Sequence, residues 1–194
     1  MTIHPQGQTG RREFLGGAAA APGILLLKPE TVFASQANSA VEIGIMGCGG
    51  RGNWIGGHFV EYTGARVVAL ADVFADRLQA AGQKFRVPSS RLYHGFEAYR
   101  DLAASKLDAV VIESPPYFHP EQVAAAVEAG KHVFIAKPLA VDVPGCRSIL
   151  RSGEKAKGKL SFLVDFQTRS QPSYQEAAAR IHRGEIGVPA LGHV

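Results

Sequence analysis

The chain is poor in cysteine, with two in 194 residues, Cys48 and Cys146, far apart in sequence. That excludes a disulfide-stapled scaffold and any structural zinc site built on paired cysteines. Two lone cysteines in such a chain are read as small core residues. No apolar run reaches the ~20 residues a membrane-spanning helix needs. Charge of one sign is not in large excess. The net charge is +4, and residues 1–37 account for +1 of it. The basic stretch from Arg151 to Lys159 has no interleaved aromatics and reads as the wet face of a helix. Nothing here argues for nucleic acid as a partner or for the membrane surface. A P-loop, internal repeats and low-complexity tracts are absent too. The composition, 46% hydrophobic and 20% charged, is that of an ordinary globular core.

The N-terminus reads as a targeting segment, to be kept out of the fold. Thr9-Gly10-Arg11-Arg12-Glu13-Phe14-Leu15 is similar to a twin-arginine export signal. A weakly apolar Ala/Gly/Leu stretch over 16–27 follows, and small-residue cleavage sites end at Ala34 or Ala37. The expectation is a signal over 1–37 and a periplasmic mature protein.

Gly47-Cys48-Gly49-Gly50-Arg51-Gly52 is the most informative motif. It follows an apolar run over 41–46, and Asp72 lies twenty residues beyond its last glycine. That spacing is the form of a dinucleotide-binding βαβ unit. Gly47 permits the turn off the strand, Gly49 lets the backbone approach a pyrophosphate, and Gly52 lets the helix pack close to the sheet. The helix N-terminus offers N–H groups and a partial positive charge to phosphate. A carboxylate at Asp72 accepts hydrogen bonds from a ribose diol and repels a 2′-phosphate, so NAD is expected rather than NADP. Its alternative job is to cap the helix that follows. Arg77 is assigned to the solvated face of that helix.

The rest of the mature chain alternates strand and helix. Strands are expected over 41–46, 66–71, 108–113, 132–135 and 160–164, with a short one near Leu92-Tyr93. Helices are expected over 53–62, 75–85, 96–104, 120–129, 143–157 and 173–183. The first is weak, because Gly56 and Gly57 each cost roughly 1 kcal/mol relative to alanine. The alternation predicts a doubly wound parallel sheet, a Rossmann domain over 38–170, with strand order 3-2-1-4-5-6 and ligand at the carboxyl ends.

The motifs together resemble the N-terminal half of the glucose–fructose oxidoreductase / inositol dehydrogenase / MocA family. The matching stretches are the glycine loop, Ala69-Leu70-Ala71-Asp72, residues 108–119 with Ser114-Pro115 and His119, and residues 129–139 with Lys137-Pro138. The continuations at 141–146 and 165–169 are similar to exported bacterial members. The resemblance implies an NAD-dependent oxidoreductase acting on a sugar, cyclitol or polyol. It places Ser114-Pro115 under the nicotinamide ribose, His119 at the head of the next helix, where cofactor contact and a role capping that helix or packing against the Pro115-Pro116 turn both stay open, and Lys137 at the substrate hydroxyl as the catalytic residue. Burial beside a cationic nicotinamide is the setting in which an amine trades a proton near neutral pH. The family's usual Glu-Lys-Pro is here Ala136-Lys137-Pro138. Gln167 and Arg169 fall on a ligand-facing loop, while Asp142 and Asp165 read as a helix cap and a strand-end turn. No metal site is expected.

Family members continue into a second α+β domain that shapes the sugar site, completes the proton relay and often forms the dimer. Residues 171–194 read as the start of that domain, and His193 does not match its relay histidine. The expectation is a truncated fragment of a homo-oligomeric enzyme. Two other readings stay open at this point. One is an NAD-dependent glycoside hydrolase working by transient sugar oxidation. The other is a dinucleotide-binding remnant without turnover.

Overall fold

The computed structural model describes residues 40–192. The export segment and His193 lie outside the described residues. Six strands form one sheet, β1 (Glu42–Met46), β2 (Arg66–Asp72), β3 (Leu92–His94), β4 (Ala109–Ile112), β5 (His132–Ala136) and β6 (Phe162–Asp165). Every pairing is parallel and the order is β3-β2-β1-β4-β5-β6. This is the expected doubly wound sheet. The order in which strands are added reverses between β1 and β4, so a cleft opens at their carboxyl ends.

Among the described residues five helices connect and cover the strands, α1 (Gly50–Thr63), α2 (Ala75–Phe85), α3 (Ala98–Ala104), α4 (His119–Glu128) and α5 (Val143–Ala156), and a sixth, α6 (Pro172–His182), follows the last strand. Two cores form, one on each face. Ile43, Ile45, Leu70 and Val111 pack with Ile55 of α1 and Leu78 of α2. On the other face Met46, Val110, Ile112 and Ile135 pack with Leu102 of α3, Val123 of α4 and Ile149 of α5. Strand residues of alternating parity serve opposite faces, which is why β4 reads as a continuous apolar run.

The local signals explain most boundaries. Asp142 caps α5, its Oδ1 accepting from Gly145 N at 2.7 Å, the cap role expected of it. Pro120 sits in the first turn of α4, where no N–H is needed. The basic stretch from Arg151 lies on the wet side of α5, with only Ser152 and Ala156 turned inward. The first helix departs from expectation. It begins at Gly50, not at 53, because the glycine loop itself makes the first turn. Its Gly56 is there for packing. A Cβ at that position would stand 2.4 Å from Ile45 Cδ1 and 3.0 Å from Phe85 Cζ. Low helix propensity is accepted in return for close contact of helix and sheet. Cys146 also departs from expectation. It is exposed on α5, while Cys48 is buried, and both are free.

Candidate nucleotide-binding site

The cleft at the carboxyl ends of β1, β2 and β4 has a volume of about 580 Å³. Its floor is the glycine loop. Gly47 adopts φ +94°, and a Cβ there would lie 2.6 Å from Ser114 N. A Cβ on Gly52 would lie 1.9 Å from Gly47 O, so only hydrogen fits. Gly49 and Gly50 face the other way. A Cβ on Gly50 would meet nothing within 4 Å, and one on Gly49 only Arg77 at 3.8 Å. The backbone at Gly49 and Gly50 is therefore open to the cleft. Gly49 is the N-cap of α1 with no side-chain cap, and the first turn holds no acid. Its free N–H groups are left for an anion.

Asp72 stands at the end of β2 on the cleft wall. Its Oδ2 accepts from Cys48 N at 2.6 Å and its Oδ1 from Phe74 N at 2.8 Å. The carboxylate thus ties the glycine loop to the β2–α2 turn. It does not cap α2, whose N-cap is Phe74. Cys48 contributes only its backbone. Its thiol is buried against Ala71 O, and burial, helped by the Asp72 charge, pushes it up to about 12. Arg77, assigned by sequence to the solvated face, is exposed but stands at the cleft rim with its guanidinium 4.5 Å from the Phe74 ring.

The opposite wall is the β4–α4 connection. Ser114 and Pro115 line the cleft, and Ser114 Oγ donates to Gln122 Oε1 at 2.6 Å. His119 lies behind this wall and does not line the cleft. It is fully buried, with Nε2 2.8 Å from Ser114 O and Nδ1 3.2 Å from Leu139 O. Burial lowers its imidazole below the usual value, against the pull of the Ser114, Leu139 and Pro138 carbonyls. A neutral imidazole carries one N–H, so it donates to one of these carbonyls at a time. His119 pins the β4 and β5 loops to each other. That is the packing role, not the cofactor contact.

Lys137 and Pro138 follow β5, joined by a cis peptide bond. Both are exposed, and neither lines the cleft, so the burial expected of Lys137 is not seen among the described residues. They sit one strand beyond Ser114-Pro115, since β5 pairs with β4.

Arg51 lines the cleft from the first turn of α1, but its guanidinium is engaged elsewhere. It pairs with Asp165 at the end of β6, and its Nε lies 3.5 Å from Glu113 Oε2. Gln167 accepts from both terminal nitrogens at 2.8 Å once its amide is oriented to suit them. Asp165 is an ion-pair partner, not a strand-end turn residue. Glu113 was not anticipated from sequence. Its side chain is fully buried, neither oxygen has a hydrogen-bond partner, and burial pushes the carboxyl up to about 7, with Arg51 opposing and Asp165 adding. Gln122, Tyr99 and Phe118 also line the cleft unannounced. An acid directly after the apolar run of β4 is the one sequence signal that points to Glu113. Among the described residues no His, Cys, Asp and Glu cluster could hold a metal.

A parallel sheet of this order, a glycine loop opening a helix at the switch point, and a carboxylate at the end of β2 define a dinucleotide-binding Rossmann domain. The chain belongs to the Gfo/Idh/MocA family: residues 41–164 match its model, described as an oxidoreductase family with an NAD-binding Rossmann fold. Among curated relatives, inositol 2-dehydrogenase 3 of Saccharopolyspora erythraea is 37% identical over 131 residues, covering 68% of this chain and 37% of that protein. Inositol 2-dehydrogenase of Pseudomonas syringae pv. syringae is 35% identical over 159 residues, covering 79% and 45%. The crystal structure of scyllo-inositol dehydrogenase from Lactobacillus casei with bound NAD(H) and scyllo-inositol superposes with a TM-score of 0.65. It is 30% identical and covers 76% of this chain and 42% of that one. The chain spans less than half the length of these relatives.

Proposed function

We propose that this chain is the nucleotide-binding part of an NAD-dependent oxidoreductase acting on a cyclitol, sugar or related polyol. The observation that carries the reading is the cleft itself. Open glycine backbone at an uncapped helix start forms the floor between the Asp72 carboxylate on one wall and Ser114-Pro115 on the other. These residues fit a dinucleotide: the α1 N–H groups take the diphosphate, Asp72 the adenosine ribose, and the Ser114-Pro115 wall the nicotinamide side. When bound, the nicotinamide supplies hydride exchange with a carbinol carbon. Lys137, exposed at the edge of the neighbouring strand, takes the hydroxyl proton at Nζ. The cyclitol assignment draws on relatives whose names are inositol dehydrogenases.

Calorimetry tests the cofactor. NAD should bind at least about tenfold more tightly than NADP, the equivalent of one repelled or unsatisfied phosphate at ~1.4 kcal/mol. Asp72→Ala should narrow that gap and loosen the glycine loop. Equal affinity for the two cofactors in the unmutated chain would overturn the NAD assignment.

Export by the twin-arginine route belongs to the same proposal and is motivated by Arg11-Arg12 and the Ala-rich stretch after them. Residues 1–40 fused to a reporter that folds in the cytoplasm should carry it to the periplasm. Replacing both arginines by lysine should stop it; unchanged export would remove this part of the reading.

A further inference from the structure

Three adjacent strands end in a row. Ile112 pairs with Ile135 and Ala136 with Asp165, so Glu113, Ala136 and Asp165 stand side by side at the carboxyl edge of β4, β5 and β6. Arg51 reaches across this row, contacting Glu113 on one side and Asp165 on the other. The small Ala136 between them carries no charge and leaves room for the guanidinium. Glu113 depends on this arrangement. Its side chain is wholly buried, Asp165 is 13% exposed, and Glu113 has no hydrogen-bond donor of its own. A buried carboxylate without donors is costly, and among the described residues Arg51 is the cation that faces it. The groups that face it are Arg51 from α1 and Asp165 from β6.

Arg51 is also the residue next to the open backbone of Gly50, in the cleft that the reading above gives to a diphosphate. A guanidinium binds phosphate oxygens in a bidentate fork as well as it binds carboxylate. Resting on that reading, we infer that Arg51 is exchanged between two anionic partners: a dinucleotide diphosphate draws it off the Glu113–Asp165 pair, and Glu113 takes up a proton from solvent as the guanidinium leaves. The balance is simple. One ion pair is replaced by another, and the two carboxylates left side by side keep one proton between them. Glu113 is the site of that proton because it is the more deeply buried of the two. Burial already pushes its carboxyl up to about 7, so near neutral pH it is in part ionised before the exchange. Loss of Arg51 removes what opposed that rise. Glu113 is thus a positioning residue, acting on the nucleotide through Arg51.

Calorimetry of the full chain with NAD, run in buffers of different ionisation enthalpy, reads the proton directly. At pH 7.5 NAD binding should take up a substantial fraction of one proton, and NAD affinity should fall roughly tenfold from pH 6.5 to 8.5. Glu113→Gln should bind NAD with no proton uptake and with an affinity flat over that range. Arg51→Gln leaves Glu113 protonated throughout and should lose the uptake as well, which serves if the Glu113 variant does not fold. Nicotinamide mononucleotide, which has no diphosphate, should bind without uptake. NAD binding with no uptake in the unmutated chain, or uptake unchanged in Glu113→Gln, would overturn the inference alone. Failure of NAD to bind at any pH would overturn the reading it rests on and the inference together.

Discussion

Glu113 and His119 sit six residues apart and bias stability in opposite directions with pH. The carboxyl of Glu113 is pushed up to about 7 from an ordinary 4.5, so the folded chain holds a proton that the unfolded chain releases between those values. Its stabilisation is complete below 4.5 and is lost as pH rises through about 7, a change of about 3 kcal/mol. His119 is lowered from 6.5, so its contribution is complete above that value and is lost as pH falls below it toward the lowered native one. Below about 6.5 the two slopes oppose each other, and from there to about 7 only the Glu113 loss remains. Urea unfolding followed from pH 5 to 8.5 should therefore show no rise toward alkaline pH and a level curve above about 7. Glu113→Gln should remove the fall and uncover a stability that rises from acid pH up to about 6.5; a fall toward pH 7 that survives this substitution would assign it to another group.

The first helix shows how an element trades its own preference for the fold. Gly56→Ala improves helix propensity by roughly 1 kcal/mol. It also brings a methyl to 2.4 Å from Ile45 Cδ1, an overpacking whose usual cost is 1–3 kcal/mol. A net destabilisation of up to about 2 kcal/mol is expected from denaturant midpoints. Asp142→Ala, which removes the cap of α5, should cost about 1 kcal/mol. The strands, most helices and the strand order were legible because period, glycine stops and the loop spacing are all local signals. What was not legible depends on neighbours far apart in the chain. Arg51 meets Asp165 only because β1, β4, β5 and β6 lie in that order, 114 residues of sequence apart. Glu113 looks like a stray acid at a strand end until Arg51 is laid over it. His119 stayed between cofactor contact and packing for the same reason: a helix start gives the position of a residue, not what the next loop presses against it.

At the scale of the molecule, the sheet and its first five helices hold the core, while the chain after Phe166 adds little to it. Every residue of α6 is exposed except Ala179, which is half-buried. Removing residues 171–194 should shift the melting temperature by less than about 2 °C, because so little apolar surface is uncovered; a larger loss would show that this helix supports the sheet. The two sulfurs offer a further use of the same architecture. Cys48 is part of the glycine loop with its thiol buried and pushed up to about 12, unreactive toward electrophiles at neutral pH. Cys146 is exposed on α5, outside the cleft. A maleimide should therefore label the folded chain once and the unfolded chain twice. The native sequence comes with a single attachment point for a fluorophore, set apart from the nucleotide cleft, and the second thiol counts the molecules that have opened.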